Sequence, residues 1–280
     1  MTTAIEWVVD CAAALGMRAD VLPILAGCSP ANADCALCWA AEVADRRGCQ
    51  SNTKILARYG GLTRRTGDGR AVFTGEVRLL PAGFHRAEAA RHPTVYFVAS
   101  ESDLAHERVP LDFARRVVAL AGARPDHRLI LVTKRPARLA AVLADAVPRA
   151  NVIVLCTAGH QAAADTFRPA MERLAAAGWL TGVSSEPRRE PIDWTGWGFI
   201  AWLITGAESG AKARRRRMDP DWTRADRDFA ARIGAAFYLK QAEIGGRIVS
   251  RPALDGRQHL AVPTVWLGLA QPQHVAPAAG

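Results

Sequence analysis

The feature that most constrains the fold is a repeated alternation of short apolar runs with helical patterns. Most of the runs are continuously apolar and do not alternate between apolar and polar residues. Such runs are typical of parallel strands, which are buried on both faces of a sheet. Eight runs are candidate strands, at residues 22–27, 75–80, 94–100, 128–133, 151–157, 180–186, 199–208 and 235–241.

The segments between these runs carry helix signals. Residues 110–123 begin with proline and end near glycine, and residues 219–234 have an acidic first turn and a glycine stop. Residues 160–178 are alanine-rich, and Pro169 is expected to bend that helix. Eight strands alternating with helices predict an α/β fold, a TIM-type (β/α)8 barrel that is either complete or irregular and partial.

An open doubly wound sheet is the alternative, but no glycine-rich dinucleotide loop follows the first strand. We expect one domain over residues 1–270 and a flexible tail over residues 271–280. No run of 18 apolar residues is present and the N-terminus does not read as a signal peptide, so we expect a cytoplasmic protein without a membrane partner.

Polar side chains gather where the predicted strands end. In a barrel the carboxyl ends of the strands form the reactive face, so we expect an active site there. A structural protein has little reason to repeat this pattern. The polar strand-end residues include Cys28, Ser100, Ser102, Asp103, Thr133, Lys134, Arg135, His160, Gln161, Ser184, Ser185, Glu186, Glu208, Ser209, Lys240 and Gln241.

Three of the six cysteines, Cys28, Cys35 and Cys38, are spaced C-x6-C-x2-C. In a reducing compartment such a cluster indicates a metal or redox site before a disulfide. Thiolates select zinc or iron–sulfur clusters, and a structural zinc site normally has four closed ligands. Three readings stay open: an iron–sulfur site, a zinc site completed by His85 or His160, and uncoordinated cysteines.

A [4Fe–4S] cluster on three cysteines leaves one iron without a protein ligand. That iron can chelate S-adenosylmethionine (SAM), and an electron from an external donor then yields a 5′-deoxyadenosyl radical. Leu37, next to the last cysteine, could pack on the adenine, and Trp39 is a candidate for stacking on adenine or a base. The spacing departs by three residues from the familiar C-x3-C-x2-C spacing.

Other strand-end residues are assigned provisional roles. Glu186, Glu208 and Ser209 are candidates for holding SAM, and salt bridges within the barrel mouth are the alternative for the two carboxylates. Ser100 and Asp103 are further candidates for binding the cofactor. The candidate catalytic residues, facing the substrate, are Lys134, His160 and Lys240.

The net charge of +9 and the pI of about 9.8 suit a polyanionic partner such as DNA. Residues 212–217 hold five basic side chains in a predicted loop above the seventh strand. Phosphate contacts from this run would be independent of base sequence, whereas a solvated loop is the simpler reading. Two alternative functions remain. One is a metal-stapled DNA-binding protein without turnover, and the other is a radical SAM enzyme that acts on a small amino-acid metabolite.

Ordered motifs over residues 5 to 245 resemble the phage and bacterial three-cysteine-motif family of radical-SAM-like proteins. They are IEW (5–7), GCSPANADCALCWA (27–40), YGGLTRRTGDG (59–69), SESDLAHERVP (100–110), TKRPARL (133–139), SSEPRREPIDW (184–194), TGAESGAKARRRRMDPDW (205–222) and FYLKQ (237–241). The resemblance implies a radical-SAM-like barrel with Cys28, Cys35 and Cys38 on the cluster. It also raises the hypothesis of an isomerase-type step in the hypermodification of thymine in DNA.

The chain departs from that family at several positions. Asp34 replaces the usual glycine before the second cysteine, and Trp39 replaces the tyrosine after the third. Residues 99–101 and 159–161 also differ. The changes at Glu101 and His160 point to an altered substrate pocket.

Overall fold

The computed structural model describes residue 3, residues 5–209 and residues 215–269. The helices are α1 (Glu6–Ala14), α2 (Trp39–Gly48), α3 (Thr53–Tyr59), α4 (Ala82–Glu88), α5 (Leu111–Ala123), α6 (Pro136–Leu143), α7 (Gln161–Ala176), α8 (Pro220–Ile233) and α9 (Thr264–Leu269). The strands are β1 (Arg18–Leu22), β2 (Leu25–Ala26), β3 (Thr63–Arg65), β4 (Ala71–Phe73), β5 (Arg78–Leu79), β6 (Thr94–Val98), β7 (Arg128–Thr133), β8 (Val152–Cys156), β9 (Leu180–Ser185), β10 (Trp202–Gly206), β11 (Ala236–Ile244), β12 (Arg247–Ser250), β13 (Ala253–Leu254) and β14 (Arg257–Gln258).

The main sheet has eight strands in the order β1-β6-β7-β8-β9-β10-β11-β12. Its first seven strands are parallel, and β12 returns antiparallel to β11 as a hairpin. Helices α5, α6, α7 and α8 each connect two successive strands of the sheet. This is the connection that parallel neighbours require.

Both faces of the sheet are covered, as the continuously apolar strands predicted. Side chains on one face, among them Leu131 and Val154, pack with helices α4 to α8 in the larger core. Side chains on the other face, among them Ile130 and Ile153, pack against α1 and the C-terminal Trp266. Consecutive residues of one strand thus enter different cores, because side chains alternate across a strand.

The sheet curls around α1 but does not close. Along α1, Trp7 packs on Phe97 of β6 and on Trp202 of β10, at ring-centroid distances of 5.2 and 5.7 Å. Asp10 of the same helix accepts a 2.6 Å hydrogen bond from Tyr238 of β11. Strand β1 pairs only with β6, and β12 only with β11, so the two edges remain unpaired with each other. The architecture is a half-barrel.

The sequence prediction of a partial α/β barrel is therefore confirmed in its coarse form, and closure into a full barrel is wrong. Six of the predicted strands correspond to β6 to β11, and two do not. The first strand of the sheet is residues 18–22, four residues before the predicted 22–27. The predicted strand at 75–80 is reduced to β5, which pairs antiparallel with β2 outside the main sheet. Apolar character alone did not reveal this, because β2 buries Leu25 and Ala26 without joining the barrel, whereas Leu79 of β5 is exposed.

The predicted ends of helix α8 are confirmed by its capping residues. Asp219 accepts a hydrogen bond from the backbone N–H of Asp221, and Gly234 ends the helix with φ of 71°. The predicted tail at 271–280 lies outside the described residues, as do residues 212–214 of the basic run. Among the described helices, none has the length and apolar character needed to cross a membrane.

Candidate active site

A cleft of about 440 Å³ opens at the carboxyl ends of the parallel strands. The N-terminus of α1 and the cysteine loop form further parts of its lining. Twelve of the thirteen predicted site residues line this cleft: Cys28, Cys35, Leu37, Cys38, Trp39, Ser100, Asp103, Lys134, Glu186, Glu208, Ser209 and Lys240. His160 is the exception.

The three cysteines reach the cleft from three different backbone settings. Cys28 follows Gly27, whose φ is 89° and whose added Cβ would lie 2.1 Å from the Glu76 carbonyl oxygen. Glycine is therefore required at that turn. Cys35 ends a short 3-10 helix over Ala33–Cys35, and Cys38 is the N-cap of α2. All three thiols are free and none is fully exposed.

The charges around the thiols come from the ends of β6 and β7. Burial raises the pKa of Cys28 to about 12, with Asp103 adding to the increase and Arg135 opposing it. Burial also raises the pKa of Cys38, and Lys134 opposes that increase. The Arg135 Nη1 atom lies 3.9 Å from Cys28 Sγ. A bound metal takes the thiolate form, and these two cations would then offset its charge.

The three thiols are soft donors, the type that zinc and iron–sulfur clusters select. Within the described residues, no three His, Cys, Asp or Glu side chains are placed to hold one metal ion. Three soft thiols facing one open cleft match the ligands of a cluster that keeps a coordination position for a second molecule. Cys11 and Cys156 are buried and Cys49 is exposed, and none of them lines the cleft. Neither His85 nor His160 lines the cleft.

Asp34 is a site residue that sequence reasoning noticed only as a departure from a family pattern. Its carboxylate is fully buried and accepts hydrogen bonds from the Gly159 N–H at 3.1 Å and Arg189 Nη1 at 2.8 Å. His160 Nδ1 lies 3.0 Å from the same carboxylate. The cysteine loop is thereby attached to the ends of β8 and β9. His160 contacts this attachment and not the cleft, so the structure does not place it where the catalytic role was expected.

The Asp103 carboxylate accepts hydrogen bonds from neighbouring residues at the end of β7. It accepts from Thr133 Oγ1 at 2.8 Å, from the Lys134 N–H at 3.1 Å and from Arg135 Nη1 at 3.2 Å. These bonds join the loop after β6 to the end of β7. Direct contact of Asp103 with a cofactor stays a prediction.

The two predicted carboxylates of the strand ends are both in ion pairs. Glu186 pairs with Lys240, and Glu208 accepts from the backbone N–H and the guanidinium of Arg216. The salt-bridge alternative is therefore realised in this structure, and contact with SAM stays a prediction. Lys134 is different: its ammonium is half-buried in the cleft wall and has no hydrogen-bond or ion-pair partner among the described residues.

Arg135 and Glu101 also line the cleft; the sequence assigned no role to Arg135 and linked Glu101 only to an altered substrate pocket. Besides contacting Cys28, Arg135 donates to Ser29 Oγ at 2.7 Å and to Glu107 at 2.8 Å. Glu101 accepts from Arg47 at 2.6 Å, and Arg47 also donates to Tyr59. Arg135 was among the polar residues at the predicted strand ends, so its position at the cleft could be predicted from the sequence. The pairing of Arg47 with Glu101 joins residues 54 positions apart, and no local sequence pattern indicates it.

Sequence comparison identifies a family. The model of the family described as protein of unknown function DUF5131 matches residues 17–263, which include the cysteine loop and every parallel strand. The chain belongs to this family. The DUF5131 match covers the whole cleft apart from the start of α1, but its description assigns no activity. No curated protein is significantly similar to the sequence.

Among solved structures, the DUF5131 chain is similar to variants of spore photoproduct lyase. One has 16% sequence identity and a TM-score of 0.44, with 75% of this chain and 60% of that chain covered. A second has 12% identity and a TM-score of 0.47, with 78% and 75% covered. A third, with bound AdoMet and dinucleoside spore photoproduct, has 15% identity and a TM-score of 0.42, with 82% and 68% covered. Similarity at this level is too low to transfer a function.

Proposed function

We propose that this protein is a radical SAM enzyme. The observation that carries the proposal is that Cys28, Cys35 and Cys38, all free, line one cleft at the carboxyl ends of the parallel strands. No other cysteine or histidine among the described residues lines that cleft. Three thiolates would hold a [4Fe–4S] cluster and leave a coordination position for SAM. When reduced, the bound cluster supplies the electron that cleaves the SAM sulfonium to a 5′-deoxyadenosyl radical.

The protein's own residues would bind and orient the SAM and keep water away. The half-buried Lys134 ammonium offers a positive charge in the cleft wall that no described residue pairs with. The Glu186–Lys240 pair and the hydroxyl of Ser209 offer hydrogen-bonding groups at the ends of β9, β11 and β10. Leu37 and Trp39 provide apolar surface on the cysteine loop, and Trp39 is 43% exposed and thus open to stacking.

The substrate we propose is a base in DNA, with a modified thymine as the specific candidate. The supporting observation is the net charge of +9, which favours a polyanion over a small amino-acid metabolite. Enzymes that act on a base must take it out of the stack and into a pocket. A cleft of about 440 Å³ that is open at the strand ends can receive such a base.

The test is anaerobic reconstitution with iron and sulfide, followed by metal analysis and incubation with SAM and dithionite. We expect a brown protein with about four iron atoms per chain and formation of 5′-deoxyadenosine. Replacement of any one of Cys28, Cys35 and Cys38 by alanine should abolish both. Zinc bound in place of iron, or iron binding without SAM cleavage, would contradict the proposal.

Cys49→Ala is the matched control, because Cys49 is an exposed free thiol that does not line the cleft. It should reconstitute like the wild type. The substrate is tested separately by nucleoside analysis of DNA from cells with and without the protein. An unchanged nucleoside composition would remove DNA as the substrate and leave the cofactor chemistry standing.

A further inference from the structure

The hairpin formed by β11 and β12 extends past the rim of the cleft. Strand β11 has nine residues, whereas its parallel neighbours have five or six. It pairs with β10 only as far as Gln241, and beyond that residue it pairs only with β12. Gln241 itself lines the cleft. The hairpin therefore begins at the cleft and projects beyond the ends of the parallel strands.

The turn of this hairpin is rigidly specified. Gly245 and Gly246 have φ of 58° and 76°, and a two-residue turn with both φ positive matches the twist of antiparallel strands. Arg215 Nη2 donates to the Gly246 carbonyl oxygen at 3.1 Å. At the other end, Ser250 donates to Glu6, which lines the cleft. The hairpin is thus held at its turn and at its base.

The two faces of the hairpin differ in chemistry. The pairing of Ile244 with Arg247 and of Ala242 with Val249 places these four side chains on one face. Ile244 is 52% exposed and Val249 is 37% exposed, so the apolar groups of this face are open to solvent. Glu243 lies on the opposite face, where Arg215 approaches it to 3.7 Å. The apolar face combines exposed aliphatic side chains with one arginine.

Two exposed arginines near the turn have no acidic partner among the residues that the structure describes. Arg247 follows the turn, and Arg217 follows the two arginines that contact Gly246 and Glu208. Neither guanidinium has a hydrogen bond or an ion pair within the described part of the chain. Elsewhere many arginines are paired, as Arg224 and Arg227 are with Asp255. Unpaired guanidinium groups can bind the phosphates of a DNA strand, and an exposed aliphatic side chain beside them can pack on its bases. An apolar protein surface would leave the guanidinium groups without partners.

We infer that the hairpin and residues 215–217 form a DNA-binding arm at the mouth of the cleft. Arg217 and Arg247 contact phosphates, and Ile244 packs against a base next to the one that enters the cleft. The inference rests on the proposed nucleic-acid substrate and adds the surface that would present it. Because the arm lies outside the cysteine loop, DNA binding can be measured without a cluster or SAM.

The experiment uses the full chain and a short single-stranded oligodeoxynucleotide that contains thymine flanked by 2-aminopurine. Fluorescence anisotropy is recorded over a range of salt concentrations for the wild type and for Arg217→Ala, Arg247→Ala and their combination. For each arginine removed, we expect weaker binding and a fall of about 0.7 in the slope of log K against log salt. Ile244→Ser should weaken binding by roughly fivefold, leave that slope unchanged, and abolish the 2-aminopurine fluorescence change.

Matched substitutions at the opposite end of the sheet provide the controls. Arg91→Ala and Val147→Ser replace exposed residues in loops that precede β6 and β8, at the amino ends of the strands. Both should bind DNA like the wild type. Equal affinity and salt slope for the arm variants and the wild type would overturn the inference, while SAM cleavage would stand. Absence of DNA binding by the wild type would overturn it together with the DNA substrate, again leaving the cluster chemistry testable.

Discussion

Arg135 is the single residue with the most direct influence on the cysteine loop. It contacts Cys28 Sγ, Ser29 and Asp103, and only 9% of its side chain is exposed. Burial opposes the charged form, but the nearby Asp103 and Cys28 raise the pKa of the guanidinium overall. A fixed positive charge and a donor beside a ligating sulfur stabilise the more negative, reduced state of an iron–sulfur cluster.

We therefore predict that Arg135→Gln shifts the reduction potential of the reconstituted cluster to a more negative value. The measurement is a redox titration followed by electron paramagnetic resonance. Arg115→Gln is the control, since Arg115 is 41% exposed and pairs at the surface with Asp145. An unchanged or more positive potential in Arg135→Gln would show that Arg135 does not act on the cluster.

At the scale of elements, the turn after β8 and the turn after β9 approach each other closely. A Cβ on Gly159 would lie 1.9 Å from the Pro187 carbonyl oxygen and 3.0 Å from Asp34 Oδ1. The Gly159 N–H also binds Asp34. The two turns and the cysteine loop thus meet at a point where only glycine fits, and Glu186 stands at the edge of this contact.

We predict that Gly159→Ala destabilises the protein by about 1–3 kcal/mol, because backbone atoms must separate to admit the methyl group. Chemical denaturation gives the change in the free energy of unfolding. Gly198→Ala is the matched control, as its added Cβ meets no atom within 4 Å and its φ is not positive. The same stability for both variants would show that the turns can separate without cost.

At the scale of the whole molecule, α1 holds the half-barrel in its curved form. Trp7 contacts β6 and β10, while Asp10 binds Tyr238 and Arg251 near the far edge. The residues at the start of this helix also line the cleft. Because the sheet has unpaired edges, the packing of α1 takes the place of the missing hydrogen bonds between first and last strands.

We predict that Trp7→Ala lowers the free energy of unfolding by about 3–5 kcal/mol, the usual range for a buried tryptophan. Trp7 is 2% exposed, and the loss should also reduce retention of a reconstituted cluster. Val265→Ala, at a 44% exposed position of α9, should change stability by less than about 0.5 kcal/mol. A loss of less than about 1 kcal/mol in Trp7→Ala would argue against this role for α1.

Much of the fold and the contents of the cleft could be predicted from the sequence. Continuous apolar runs identified the six parallel strands β6 to β11, because burial on both faces requires such composition. Because reactive groups follow the carboxyl ends of parallel strands, the sequence also predicted that Cys28, Lys134, Glu186 and Lys240 lie together. All four line the cleft. These features depend on local composition and on neighbours in sequence.

Long-range packing decided the rest. The sequence placed the first strand wrongly at 22–27 and left the closure of the barrel open, because pairing of β1 with β6 joins residues 76 positions apart, such as Arg18 and Thr94. The binding of His160 to Asp34 spans 126 positions, and the Glu186–Lys240 pair spans 54. Local patterns carry no information on which charged groups meet. The chemistry of the three thiols was therefore determined by the sequence, whereas only the tertiary structure decided which of the surrounding charges are already paired and which remain open to a ligand.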